Sequence, residues 1–487
     1  MRRGVSSMLL AVFSVSCVAD NPAYGDGSDR ASAGGEATQG PNSAGEESGG
    51  SASASASGTS SPGTGGAAGT AGESLGSTDG PTGVLLFVDE LVTDFAAGEH
   101  GQTAFDDGLI IATNSAEGTF RSRLFVADDP VRWVEFGWRP AAPYGLALPD
   151  AAAQEDETSR YPEGAADLDG LELLYHFDEP EFTSRTSIAD TSGSQAAGTL
   201  GFGDPMDVGD VEPTEGVFGS AMRNQAQSAY IDAPLQALGS EAGSFTWSAW
   251  YRVNGAYQSA TLLSLDSPSD VPQTPAMYLL YAGDGDGLCN QDELAVNVGR
   301  QNAESLRECS LGTLDAQRWH HVVMRTTELS NDFRVEVFLD GNPSGSWDAG
   351  FPLPDTSVGA ADVTSFVAGQ GPPSSFGGQG DYDEVAVWDR ALSDAEVRAL
   401  YLRGARFVSV QVRVCSEPGC EDDPPFVGPD GSPSTAFVDR GDGDFFRSLE
   451  QAPVGRTLQY EVTLRRASAD LRSPLVERVQ ALAQPLP

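Results

Sequence analysis

The chain has no lysine, four histidines and five cysteines in 487 residues. Every basic side chain is therefore arginine, and the 28 arginines face 71 Asp and Glu, for a formal net charge of −43 at pH 7. That balance excludes sequence-independent binding to nucleic acid, whose affinity comes from cations neutralising phosphates. It also excludes electrostatic docking on anionic lipid. No apolar run approaches the roughly 20 residues that a membrane-crossing helix needs. Strongly periodic helical segments are almost missing. Glycine and proline are not scarce: 57 Gly and 30 Pro make a turn-rich chain, and aromatics at 8% supply material for cores. The length is sufficient for about three domains.

Arg2 and Arg3 precede the short apolar run Met8 to Val15, which reads as an export signal. Ser14-Val15-Ser16-Cys17 resembles a bacterial lipobox, so residues 1–17 are expected to be a lipoprotein-type signal with Cys17 acylated. An ordinary secretory signal cleaved near Ala19 is the alternative. Lipid anchoring at Cys17, with Val18 following, implies the outer membrane as the destination, facing the surface or the periplasm. Residues 18–83 are rich in Gly, Ser and Ala. They have too little to bury to offset their ordering entropy. A coil of that length reaches about 40–50 Å.

After Val84 the pattern becomes period-two strands between Gly, Pro and Asp turns, the signature of a half-buried β-structure. Examples are Thr119–Phe125, Arg132–Trp138, Phe245–Val253, Arg334–Leu339 and Leu458–Leu464, and Asp340-Gly341 is a hairpin turn signal. One helix is expected over Ser393–Tyr401, with Ser393 and Glu396 as a capping box and Gly404 as the residue that ends it.

Five segments carry a family resemblance. They are Leu173–Asp178 with Asp190–Gly193, Ser244–Trp250, Arg318–Val323, Val337–Gly341 and Gly380–Ser393. In this order they resemble the strands and turns of a laminin-G-like domain of the concanavalin A-like jelly-roll superfamily. The resemblance implies an all-β fold with a jelly-roll sandwich over residues 170–404. The flanks, residues 84–165 and 405–487, resemble two halves of one further β-sandwich, so the jelly roll is expected to be inserted into a discontinuous domain. The alternative is two independent small modules.

Four cysteines remain beside Cys17. An even number in an exported chain implies disulfides. The favoured pairing is Cys289–Cys309 and Cys415–Cys420, which keeps each pair within one segment. A zinc site is the alternative, although the spacings do not match a zinc ribbon. Calcium is the possible cofactor. Relatives bind it at a loop edge through acidic residues, but the matching stretch Asn224–Ile231 carries Gln225, Ser228 and Ala229 at the acidic positions. A separate candidate is Asp284, Asp286, Asn290, Asp292 and Glu293, a cluster of oxygen donors of the kind a hard cation takes. A solvated acidic turn is the alternative for that segment.

No Ser/His/Asp arrangement emerges around the four histidines, and there is no H-E-x-x-H. Some glycosidases share the jelly roll, and the nearest acidic run is Asp381, Asp383 and Glu384. That run falls within the closing segment of the resemblance. The expected function is a non-catalytic cell-surface binding or adhesion protein. Its lectin-like jelly roll would present a site for a glycan or a cell-surface protein. A structural envelope lipoprotein without a ligand is the alternative, and a glycoside hydrolase of the same fold ranks below both.

Overall fold

The computed structural model describes residues 83–487 apart from 113, 151–156, 184–185, 203–210, 226–228, 236–243, 255–259, 266–276, 283–288, 300–304, 331, 351–363, 369–378, 440–445 and 450–452. Among the described residues the fold is all-β, built from three antiparallel sheets and two α-helices.

Two of the sheets face each other and form the jelly roll. The first, called the site sheet below, runs in the order Val211–Glu215, Ser220–Asn224, Gly380–Trp388, Phe245–Arg252, Trp319–Leu329, Asp332–Leu339 and Asn342–Asp348. Leu171–Tyr175 pairs with the far end of Gly380–Trp388. The covering sheet opposite has eight strands, from Ser305–Thr313 at one edge to Ser187–Ile188 at the other. Successive side chains of a strand point to opposite faces, and the site sheet shows this plainly. Phe245, Trp247, Ala249 and Tyr251 enter the core between the sheets, as do Tyr382, Val385 and Val387. Trp250, Ala386 and Trp388 pack on the outer face.

Alternation breaks within Gly380–Trp388. The pairing of Phe245–Arg252 with Gly380–Trp388 slips between Ser248 and Trp250, and Glu384 takes φ 50°. This is a β-bulge, an extra residue on one strand. It leaves both Asp383 and Glu384 outside the core that takes Tyr382 and Val385 on either side. The Asp340-Gly341 hairpin also forms as its sequence suggests. Both residues have positive φ, 51° and 69°, which suits the twist of the flanking strands.

The helix on the outer face spans Asp394–Ala405. The Ser393 hydroxyl accepts from the Glu396 N–H, and the Glu396 carboxylate accepts from the Ser393 N–H. Gly404 does not end it, in contrast to the expectation from sequence. The helix runs on to Ala405 and passes directly into the strand Arg406–Cys415. Glycine is needed at 404 for proximity instead: a Cβ there would lie 2.4 Å from the Trp250 ring.

The third sheet combines strands from both sides of the jelly roll. Glu117–Arg121 pairs with Val454–Arg466, and Leu85–Asp89 pairs with Leu475–Pro485. The 16-residue strand Phe125–Pro140 pairs with Val454–Arg466 along its first part and with Leu475–Pro485 along the rest. These strands enclose their own core, which includes Phe95, Phe120, Phe136, Trp133, Val410 and Tyr460.

Contacts tie this sheet to the jelly roll. Leu471, in the turn between Val454–Arg466 and Leu475–Pro485, joins Phe218, Trp250, Tyr401 and Ala405 in one apolar cluster. Arg403 of the helix forms a buried pair with Glu157 of the crossover, the segment between Phe125–Pro140 and Leu171–Tyr175, through two 2.9 Å bonds. Arg403 also donates to the Leu146 and Ala147 carbonyls, and the Glu157 carboxylate accepts from the Ala166 N–H. Removing one partner of such a pair leaves a buried charge unpaired. Arg403→Ala should therefore destabilise the chain by about 3–5 kcal/mol in denaturant unfolding, whereas Arg403→Met with Glu157→Leu should restore most of the loss. Equal loss in the single and double variants would contradict the buried-pair assignment.

Candidate functional site

Asp381, Arg223 and Arg252 stand side by side on three neighbouring strands, because Asp381 is the register partner of both arginines. Their neighbours Met222, Tyr382 and Tyr251 enter the core, so the three charged side chains emerge on the opposite face. Asp381 is fully buried. Its Oδ1 accepts from Arg223 Nε at 3.0 Å and Asn254 Nδ2 at 2.7 Å. Its Oδ2 accepts from Arg252 Nε at 2.8 Å, from Arg252 Nη2 and from Arg223 Nη2 at 3.2 Å. A buried carboxylate needs this saturation, since desolvation without partners costs several kcal/mol.

Around the three lies a cleft of about 470 Å³. Gln225, Gln317 and Gln379 add amides to its wall. Gln379 Nε2 donates to the Gln225 carbonyl at 2.6 Å, and the Tyr251 hydroxyl donates to the Gln379 carbonyl at 2.7 Å. Gly380, with φ 155°, lies against the Tyr251 ring, where a Cβ would come within 2.2 Å. Glycine there lets the strand begin close enough for Asp381 to meet its partners. The Arg252 guanidinium lies over the Trp319 ring, 4.5 Å from its centre. Such stacking fixes the plane of the guanidinium.

The bulge builds a second polar cluster. Asp383 is fully buried, and its Oδ2 accepts from the Val217 and Phe218 N–H groups at 2.7 and 3.0 Å. Burial, reinforced by the Glu384 charge, raises its pKa well above the usual carboxylate range. Glu384 accepts from the Leu148 N–H at 3.0 Å and pairs with His176 Nδ1. His176 Nε2 meets Asp150 at 3.1 Å. The acidic run Asp381, Asp383 and Glu384 is thus engaged by different partners: an arginine pair, a hairpin turn and a histidine.

Ser248 and His321 also meet, Oγ to Nε2 at 2.9 Å, but both are buried, with Tyr401 packed near His321. Asp340 bonds His320 Nδ1 rather than the His321 ring. No relay of Ser, His and Asp results.

The other sequence candidates fall elsewhere. Cys17, Asp284 and Asp286 lie outside the described residues. The Asn290 backbone and side-chain N–H groups both donate to Glu293, and Asp292 is half-buried with φ 66°. Cys289 pairs with Cys309 and Cys415 with Cys420. Cys309 sits on the strand next to Glu293–Gly299, and Cys415 ends Arg406–Cys415. No described helix is long and apolar enough to cross a membrane. These features are compatible with an extracellular protein. Sequence reading missed Arg223, Arg252, Asn254, Gln317 and Gln379. The one signal near them was the stretch Asn224–Ile231, where Gln225, Ser228 and Ala229 stand at the acidic positions.

The fold places the middle of the chain among jelly-roll sandwiches. Residues 225–398, just over a third of the chain, match a laminin-G-type family model described as the concanavalin A-like lectin/glucanases superfamily. The resemblance read from sequence is borne out over that span. No curated protein matches the chain. Among solved structures, domain 4 of a GH43 extracellular arabinanase from Geobacillus stearothermophilus, in complex with arabinotriose, is similar at 18% identity and TM-score 0.34, over 47% of this chain and 98% of that one. Trypanosoma rangeli sialidase in complex with the inhibitor DANA is similar at 16% identity and TM-score 0.34, over 49% of this chain and 33% of that one. The receptor-binding domain of botulinum neurotoxin D shows 10% identity and TM-score 0.34, over 52% of this chain and 56% of that one.

These findings correct the expected function. The matched superfamily joins lectins with glucanases. A non-catalytic adhesion role does not follow from such a fold, because one scaffold hosts both binding and catalysis. That role and the ligand-free structural alternative are both set aside.

The two histidine environments give a pH dependence. Burial draws His176 down, but the Glu384 charge and bond, with Asp150, outweigh it and carry its pKa from 6.5 to about 9. Burial lowers His321 from 6.5 to about 4, against a weaker pull from Asp340. A raised folded pKa gives stability that is complete below 6.5 and lost as pH rises through 9. A lowered one gives stability that is complete above 6.5 and lost as pH falls through 4. Thermal midpoints should fall on both sides of this range. His176→Gln should flatten the alkaline limb only, and an unchanged alkaline limb would contradict the clamp.

Proposed function

We propose that the chain recognises carbohydrate in the cleft beside Asp381. One observation carries the reading. The cleft wall is made of planar amide and guanidinium groups, held in place by a buried carboxylate, with the Trp319 ring stacked beneath Arg252. Sugar hydroxyls each donate and accept, and fixed planar groups supply both functions in defined directions. A binding site needs such convergent polar groups in a concave surface. The lectin/glucanases match, which covers two of the three strands that build the cleft, Phe245–Arg252 and Gly380–Trp388, supports the same reading.

A glycan array probed with the full chain tests it. Defined saccharides should bind, and Gln317→Ala should weaken them about tenfold, near 1.4 kcal/mol. The thermal midpoint should not move, because Gln317 is exposed. A silent array, or full binding by Gln317→Ala, would contradict the proposal.

On organisation, residues 170–404 form an insertion between the two halves of the flanking sandwich. On location, the chain is exported and held at the outer membrane by acyl chains on Cys17, beyond the spacer 18–83. Two or more chains give stable anchoring, at about 0.8 kcal/mol per buried methylene. Cys17→Ser should release the protein from the membrane fraction. Unchanged membrane association in that variant would rule out the anchor.

A further inference from the structure

The residues that line the cleft carry a net charge opposite in sign to that of the whole chain. The described wall has two arginines, Arg223 and Arg252, and one acid, Asp381. The chain as a whole has 71 acids for 28 bases. We propose that the cleft selects a saccharide bearing a carboxylate, a uronate-type sugar, and that Arg252 is the residue that reads it.

This inference rests on the carbohydrate reading above and names the class of sugar. The two arginines differ in what they have left to offer. Arg223 spends Nε and Nη2 on Asp381, while its Nη1 lies 3.7 Å from Glu212, a half-buried acid that also accepts from Gln225 Nε2. Arg223 is therefore flanked by acids on both sides. Arg252 spends Nε and Nη2 on Asp381, and Nη2 also lies 3.4 Å from the Glu215 carbonyl. Its Nη1 has no partner among the described residues. The side chain keeps about a fifth of its surface exposed.

Asp381 holds one edge of that guanidinium and Trp319 holds its face, 4.5 Å below. The free Nη1 is thus a fixed cationic donor in a concave surface. A neutral sugar hydroxyl would meet it with a bond assisted by the guanidinium charge alone. A carboxylate adds an opposite charge of its own, so the contact becomes an ion pair as well as a hydrogen bond. The amides of Asn254 and Gln317 stand on the same wall for the remaining hydroxyls. The negative field of the rest of the protein repels an acidic glycan at long range. That repulsion is screened by salt beyond about 10 Å, whereas a contact within the cleft is screened much less.

Calorimetry with the full chain tests the inference. Tetrasaccharides of galacturonate, mannuronate and glucuronate type are each compared with their carboxyl-reduced forms, which keep every other atom of the ring. At least one acid form should bind about tenfold more tightly than its reduced counterpart. Arg252→Gln should remove that gap, so that the acid form binds no more tightly than its reduced counterpart. Arg252→Lys keeps the charge and loses the planar fork, so it should retain only part of the gap. Circular-dichroism melts confirm that the variants are folded. If reduced sugars bind as well as the acids, the carboxylate inference fails and the carbohydrate reading stands. If Arg252→Gln keeps the gap, the assignment to Arg252 is wrong. If no saccharide binds in either form, both fail together.

Discussion

A carboxylate taken out of water must find donors for both oxygens, and Asp381 finds five contacts from three side chains. That single requirement arranges the surface around it. It aligns two guanidinium groups on neighbouring strands and draws in the Asn254 amide. It also makes the glycine at 380 necessary, because the strand must start against the Tyr251 ring. The cleft is therefore the rim of a satisfied buried charge. Its arginines are already ordered before any ligand arrives, and preordered groups lose less entropy on binding.

The bulge at Glu384 plays a comparable role one step along the strand. It turns two consecutive acids away from the core, and each then fixes a different neighbour. Asp383 caps the turn at Val217 and Phe218, while Glu384 holds Leu148 and His176. Together with the Arg403–Glu157 pair, the Glu384 bond to Leu148 binds the crossover between the third sheet and the jelly roll to the outer face of the site sheet. Leu471 completes the contact from the opposite end of the chain. Trp319, which supports Arg252, packs against the same apolar cluster. Trp319 thus links the arginine of the cleft to the contact between the sheets.

Local chemistry was legible in the sequence where a short motif determines a short structure. Alternation in Phe245–Arg252 placed its aromatic residues, Ser393 with Glu396 started the helix, and Asp340-Gly341 made its turn. Gly404 misled, because a glycine near the end of a helix resembles a terminator whether it supplies a backbone angle or only space. The site itself was almost invisible. Arg223 and Asp381 are 158 residues apart, and Arg252 and Asp381 129 apart. Only the register of three strands brings them together. Asn254, Gln317 and Gln379 form no pattern in the chain. The acidic stretch near Asp286 stands out because its residues are neighbours in sequence.

The claim that Asp381 organises the cleft is open to direct measurement by nitrogen-15 NMR of the arginine side chains. Held Nε–H groups exchange slowly with water and give resolved signals. In the parent protein, the Nε–H signals of Arg223 and Arg252 should both be protected. In Asp381→Asn both should lose protection together, while Arg403, paired with Glu157 elsewhere, keeps its own. If Arg223 and Arg252 remain protected without the Asp381 carboxylate, something else orders the cleft, and Asp381 is not its organising charge.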